Sequence, residues 1–363
     1  MWHHALAICP TRNEVVGCYQ LRSVRASPVL KRSPVSCAMV SFSRMPLRRR
    51  AWVNKVRRAL PNCGTLCGMR SKLSYTAVEV RVDAVRDLCP SMRRVTLSGE
   101  GLKKAAPLCL DRRIKLVLPR YHGDALEDIP RIPGWYDALV SLPPSDQPSV
   151  RTYTARAMRP DMAELDVDVV RHGTSGPAGR WIETVAAGDR LVVAVPRADF
   201  KDIDIIGLAW HPGSAKQILV AGDETAAPAI ANIAASLAPD AVGTILVEMP
   251  APEDSWPLTA PPGVDVKVLC REGEAPGSLL ERELHTLTWP PEPAESEAVD
   301  DLDDDAGILW DEPAGDADGE HFAWLAGEKG AVQRMRRFLV RERGCPRDRV
   351  AFMSYWRQGH AES

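Results

Sequence analysis

Residues 77–85 read Ala-Val-Glu-Val-Arg-Val-Asp-Ala-Val, apolar at 78, 80 and 82 and charged at 79, 81 and 83. That alternation is the signature of a strand with one buried face. Shorter segments of the same kind recur at 92–98, 114–118, 150–156, 164–171 and 190–195, with a Pro-rich loop at 130–148. Six closely spaced strands with turn residues between them predict a small antiparallel barrel. After Gly213 the pattern changes. Short apolar runs at 217–221, 243–249, 264–269, 321–326 and 349–355 alternate with helical stretches at 226–237, 277–287 and 331–343. Apolar strands separated by helices predict a parallel sheet covered on both faces, with ligands at the C-terminal ends of its strands. The expected organisation is therefore a two-domain β + α/β chain: an extension over 1–70, a barrel over 73–203 and an α/β domain over 214–359.

Charge refines the picture at two places. The net charge of −2 over 363 residues conceals a basic N-terminal segment, in which Glu14 is the sole acid before Glu79, and an acidic one at 292–320 without Lys or Arg. The basic composition suits a targeting peptide or a nucleic-acid tail. Its cations do not gather on one helical face, however, so 1–70 is read as a disordered extension, with Met69 or Met45 the expected working start. The acids interrupt the α/β domain at 290–320. They repel one another and cannot build a core, so a solvated insertion is expected there, and no calcium-loop spacing accompanies the Asp run. Nine scattered cysteines complete no zinc pattern and read as reduced thiols. No apolar run is long enough for a membrane helix. The expected setting is cytoplasmic, with neither membrane nor nucleic acid as partner and no protein-bound metal.

The candidate chemistry lies in four short stretches. Arg151-Thr152-Tyr153-Thr154-Ala155-Arg156 places a guanidinium and an aromatic ring on one face of a strand, with the Thr154 hydroxyl beside them. Alone, this hexapeptide reads equally well as an ordinary strand. His172-Gly173-Thr174-Ser175-Gly176-Pro177-Ala178 tips the balance. It is a glycine-rich turn opening into a helix, with Ser175 able to donate and Pro177 suited to the first turn, and such a turn attracts an anion. Together the two suit FAD: a ring to stack on, a donor for the ring edge and a cradle for the pyrophosphate. Downstream, Gly222-Asp223-Glu224-Thr225-Ala226 and Gly327-Glu328 end apolar strands, where a nicotinamide cofactor would bind, although the Gly-x-Gly-x-x-Gly fingerprint is missing. Thr225 is expected to cap the following helix. Glu248 stands where a ribose-binding acid would favour NADH, while Arg271 argues for NADPH, so the donor is left as NADH or NADPH. Trp356, beside Tyr355, is a terminal aromatic able to cover either ring system or to join the core.

These residues resemble the siderophore-interacting protein family of ferric-chelate reductases, within the ferredoxin-reductase-like flavoproteins. The resemblance spans 73–359 and is carried by the stretches above together with Pro133-Gly134-Trp135, Trp324-Leu325-Ala326-Gly327-Glu328 and Tyr355-Trp356-Arg357-Gln358-Gly359. It implies a six-stranded Greek-key barrel in which Arg151, Tyr153 and Thr154 hold FAD, and His172, Gly173, Ser175, Gly176, Pro177 and Ala178 take its pyrophosphate. Gly222, Asp223, Glu224, Thr225, Ala226, Gly327, Glu328 and Trp356 would meet the nicotinamide cofactor. The implied reaction passes electrons from NAD(P)H through the flavin to Fe(III) in a siderophore, without a catalytic acid, base or nucleophile. Arg156, Arg171 and Arg180 are candidates for attracting an anionic chelate. The alternatives are a flavin reductase with another acceptor and a non-catalytic siderophore-binding module. Two departures stand out: Ser354 where the family usually carries Gly, and Ala227 where it carries Leu.

Overall fold

The computed structural model describes residues 5–9, 14–18, 74–118, 129, 135–143, 146–174, 176–290, 309–313 and 319–359. Within the N-terminal unit, β1 (Ala5–Cys9) and β2 (Glu14–Cys18) pair as an antiparallel hairpin. The rest of the expected disordered extension, and the Asp run at 300–305, lie outside the described residues.

A curled antiparallel sheet follows. It consists of β3 (Tyr75–Cys89), β4 (Met92–Ser98), β5 (Arg113–Leu118), β6 (Ser149–Thr154), β7 (Ala157–Arg159), β8 (Glu164–Val170) and β9 (Arg190–Pro196), in the order β6-β5-β9-β3-β4-β8-β7. The alternation read from the sequence is what fills it. Val78, Val80, Val82, Val95, Leu97, Leu116, Leu165, Val167 and Val193 all point inward. Seven strands stand where six were expected. The run through 156 breaks after Thr154, and β7 restarts as a three-residue partner of β8. Helix α1 (Trp135–Val140) lies in the stretch read as a Pro-rich loop. Its Trp135 and Leu139, one turn apart, cover Ala77, Val117, Val192 and Ala194 on the outer face. Helix α2 (Gly176–Thr184) closes one end of the curled sheet with buried Trp181 and Ile182.

The second sheet has the order β12-β11-β10-β14-β15-β13, from β10 (Gln217–Gly222), β11 (Val242–Met249), β12 (Gly263–Cys270), β13 (Trp310–Asp311), β14 (His321–Glu328) and β15 (Val350–Trp356). All neighbours are parallel except β13, which runs antiparallel to β15. Helix α3 (Ala227–Ser236) covers one face, while α4 (Ser278–Thr286) and α5 (Lys329–Arg336) cover the other. The insertion is thus not solvated throughout, because its return end supplies β13 as an edge strand.

Polar pins join the two sheets. Buried Asp111 accepts from Ala209 N (2.9 Å), Trp210 N (3.3 Å) and Trp324 Nε1 (3.0 Å). Asn232, on α3, donates through Nδ2 to Leu110 O (2.8 Å) and Ala155 O (3.0 Å), and its Oδ1 accepts from Arg156 (2.8 Å). Asp254 accepts from Ser91 N and Oγ in the β3–β4 turn. Such buried polar groups are worth keeping only when partnered, and these are. The described cysteines, Cys89, Cys109, Cys270 and Cys345, are free thiols.

Candidate functional site

Among the described residues, strand β6 is an edge of the curled sheet and pairs with β5. Arg151 and Tyr153 share one of its faces by alternation. Tyr153 packs against the sheet's apolar interior, as does Ala178 of α2, so the strand and the glycine-turn helix meet the same core. The Arg151 guanidinium donates to Val150 O (2.9 Å), and among the described residues it has no carboxylate within ion-pair range. Two other arginines of this domain are paired with acids: Arg94 with Asp168 (2.7 Å) and Arg159 with Asp166 (2.8 Å). Thr154 is buried, with its side chain close to that of Tyr355 from the far end of the chain.

The turn before α2 has the shape of a cradle. Gly173 and Gly176 take φ of 80° and 78°, and no atom lies within 4 Å of where a β-carbon would stand on either. Left-handed backbone there favours glycine, and the open space would be filled by any larger residue. Pro177 sits in the first turn of α2, His172 is exposed beside the loop, and Ser175 lies outside the described residues. The N-terminus of α2 carries the partial positive charge of its aligned peptides into this space.

A second cluster forms where strand order reverses. Strand β10 pairs with β11 on one side and β14 on the other, so its C-terminal end is the switch point of the sheet. Asp223, 1% exposed, occupies it. Its Oδ1 accepts from Thr225 N (2.9 Å) and Thr225 Oγ1 (2.5 Å), and its Oδ2 from Glu328 N (2.8 Å) and Trp356 Nε1 (2.8 Å). A β-carbon on Gly327, at φ 150°, would stand 2.6 Å from Asp223 Oδ2, so the close approach requires glycine. Glu328 caps α5 through Ala331 N (3.0 Å) and accepts from Gln358 N (3.2 Å). Burial, and then the neighbouring Glu224 charge, push the Asp223 carboxyl up to about 7, against the donors that hold its anion. Thr225 does not cap α3: its hydroxyl is turned to Asp223, and the helix starts from Ala226 without a side-chain cap.

The expectation that Glu248 binds a ribose is corrected. Glu248 is fully buried, and its two oxygens accept from Gly277 N (2.7 Å), Leu279 N (3.0 Å), Leu280 N (3.4 Å) and Arg271 (3.0 Å). It is the acceptor for the first turn of α4, with no lone pair left for a sugar. Glu224 grips both terminal nitrogens of the same Arg271, at 2.8 and 2.9 Å. Arg271 is thereby shared between two carboxylates rather than free for a phosphate. Arg156 is drawn to Asp168 (3.6 Å) and Asn232, and Arg171 to Glu183 (2.8 Å), while Arg180 is exposed. Asn232 and Asp111, which fix the two sheets around these clusters, carry no motif, and only their burial reveals them.

Residues 81–200 match the siderophore-interacting FAD-binding domain, and residues 215–359 match the siderophore-interacting protein domain. An uncharacterized protein of Mycobacterium tuberculosis is 31% identical over 286 residues, covering 77% of this chain and 90% of its own. The chain belongs to the siderophore-interacting protein family. A second relative, the ferric vibriobactin reductase ViuB of Vibrio cholerae, is 27% identical over 272 residues, which is 75% of this chain and 86% of ViuB. Among solved structures, a siderophore utilization protein from T. fusca superposes with a TM-score of 0.60 at 28% identity, covering 79% of this chain and 95% of that one.

Positive-φ glycines facing open space, and an arginine on a sheet edge with no acid among the described residues, could hold a dinucleotide pyrophosphate. Of the family's marks, Trp135 serves the core under α1, and Pro133 and Gly134 lie outside the described residues.

Proposed function

We propose that this protein is a cytoplasmic FAD-dependent NAD(P)H oxidoreductase that reduces the ferric ion of a siderophore complex and so releases iron as Fe(II). The observation that carries the reading is the open glycine cradle of Gly173 and Gly176 beside the edge strand of Arg151, Tyr153 and Thr154, in one chain with a switch-point cluster around Asp223. The name of ViuB, a ferric vibriobactin reductase, supports the choice of acceptor.

In this reading bound FAD would supply the chemistry that links a two-electron hydride donor, NAD(P)H, to one-electron reduction of two ferric chelates. The protein's own part is binding and placement. Arg151 would pair with the pyrophosphate, which the backbone of Gly173 and Gly176 would cradle at the head of α2. Tyr153 and Thr154 would hold the flavin ring. Asp223 fixes Trp356 and the Glu328 backbone at the strand ends where the nicotinamide would bind. No side chain is required to move a proton to the iron complex, whose ferrous product is held more weakly by hard oxygen donors.

An anaerobic absorbance experiment tests the proposal. Protein loaded with FAD should bleach with NADH or NADPH and recover its bands on addition of a ferric siderophore, with Fe(II) trapped by a ferrous chelator. Protein that cannot take up FAD would leave a siderophore-binding module. Recovery with quinones but not with ferric chelates would leave a flavin reductase serving another acceptor. The variant Arg151→Ala should bind FAD about 10- to 100-fold more weakly, the loss expected of a charge-assisted phosphate contact.

A further inference from the structure

The acidic insertion re-enters the fold at Leu309. The Leu309 carbonyl accepts twice from one residue of the last strand, from Ser354 N (2.9 Å) and Ser354 Oγ (3.0 Å). Trp310 and Asp311 then pair with Met353 and Phe352 of β15. Asp311 is held by Arg336 (2.9 Å) and Arg347 (3.2 Å). This arm fixes the Trp310 indole in place. It lies parallel to the Tyr355 ring, with centroids 6.2 Å apart and planes at 8°, and the Arg113 guanidinium stands 4.2 Å from the indole centroid.

Tyr355 is thus held between two walls. Trp324 meets it edge-on at 6.3 Å and is itself fully buried and tied to Asp111. Trp310 is the other wall, and the insertion supplies it. The Tyr355 side chain lies close to that of Thr154, and Arg113 on β5 sits directly opposite Thr154. Trp310 therefore touches the C-terminal strand through Tyr355 and, through Arg113, the barrel strand β5 that pairs with the expected flavin strand β6.

We propose that Trp310 is a positioning residue for FAD, acting through Tyr355, and that the return arm of the insertion is a working part of the flavin site. This rests on the flavin reading of residues 81–200. Without the indole, Tyr355 loses its stacked neighbour and Arg113 its cation–π partner, so Tyr355 is held less firmly beside Thr154. Ser354 belongs to the same device. The hydroxyl that replaces the family's usual glycine provides the second bond to Leu309, so the departure tightens the C-terminal strand onto the arm.

The test is titration of apo-protein with FAD, followed by flavin fluorescence and by visible circular dichroism of the bound flavin, for wild type, Trp310→Leu, Trp310→Phe and Ser354→Gly. Trp310→Leu keeps an apolar filler but no ring. It should weaken FAD binding about tenfold and change the dichroism, while Trp310→Phe, which restores stacking, stays within about threefold of wild type. Ser354→Gly should weaken FAD about two- to threefold by loosening the arm. Wild-type affinity and dichroism in Trp310→Leu would overturn the proposal. Should that variant not fold, unchanged values in Ser354→Gly would overturn it instead. Wild-type protein that takes up no FAD would overturn the flavin reading itself, whereas FAD uptake indifferent to Trp310 overturns only this inference.

Discussion

Asp223 shows how little of a side chain's role can be read from its letter. In sequence it is an acid beside an acid at the end of an apolar strand, a position that suggests sugar hydroxyls. In the fold both its oxygens are consumed by donors from three elements, and it ties Trp356 and Glu328 to the end of β10. Replacing it with Ala leaves the Trp356 indole N–H and the Glu328 amide without acceptors. At about 1–3 kcal/mol for each orphaned donor, urea unfolding of Asp223→Ala should show a loss of roughly 2–6 kcal/mol. The pH dependence has a definite sign. The carboxyl titrates higher folded, near 7, than unfolded, near 3.8, so the folded protein binds this proton more tightly and the group's contribution to stability falls as pH rises between those values. Thermal midpoints of wild type minus Asp223→Ala should therefore decline from pH 4 to pH 7, and a rising difference would refute the assignment.

Helix α4 has no side-chain cap of its own at Gly277, and Glu248 from the neighbouring strand serves instead. A ribose ligand and a structural cap make opposite forecasts. Glu248→Ala should lower the unfolding free energy by about 2–4 kcal/mol, through lost buried acceptors and an unmatched Arg271, as read by urea denaturation. A ribose ligand would instead weaken NADH binding and leave the urea midpoint in place. The glycine turn before α2 is the converse case, where stability is secondary. Gly176→Ala should cost about 1 kcal/mol for a left-handed alanine while weakening FAD by tenfold or more, because the methyl enters the cradle; equilibrium FAD titration separates the two effects. Most elements were legible because their burial is periodic. Those that were not lack a period to show. Strands β7 and β13 have three and two residues, and α1 is a six-residue helix held by two side chains on the outer face of the barrel.

The two sheets are joined by buried polar contacts and by one apolar cluster to which both contribute, Met92 and Val170 from the barrel beside Trp210, Ile230 and Trp324. On the barrel's outer face, Asp166 and Asp168 lie among Arg94, Arg156 and Arg159. Burial works to raise Asp166, but bonds from Arg159 and Thr96 and the charges of Arg159 and Arg94 outweigh it and hold the carboxyl below its usual value. A depressed carboxyl contributes stability above its unfolded pKa and loses it as pH falls through the folded one. Acid unfolding should therefore begin below about pH 4 and move to higher pH in Arg159→Ala, as followed by far-ultraviolet circular dichroism.

The family motifs are contiguous runs of residues, and the elements bearing them follow from local periodicity, so both the two-domain architecture and the stretches proposed to bind flavin could be read along the chain. Contacts between residues far apart in sequence could not. Glu248 as a helix cap rather than a sugar ligand, Thr225 turned to Asp223, Asn232 joining two sheets, and an acidic insertion delivering an indole to Tyr355 all depend on which strand lies beside which. A buried donor or acceptor takes whatever partner packing brings within reach, and packing is a property of the folded whole.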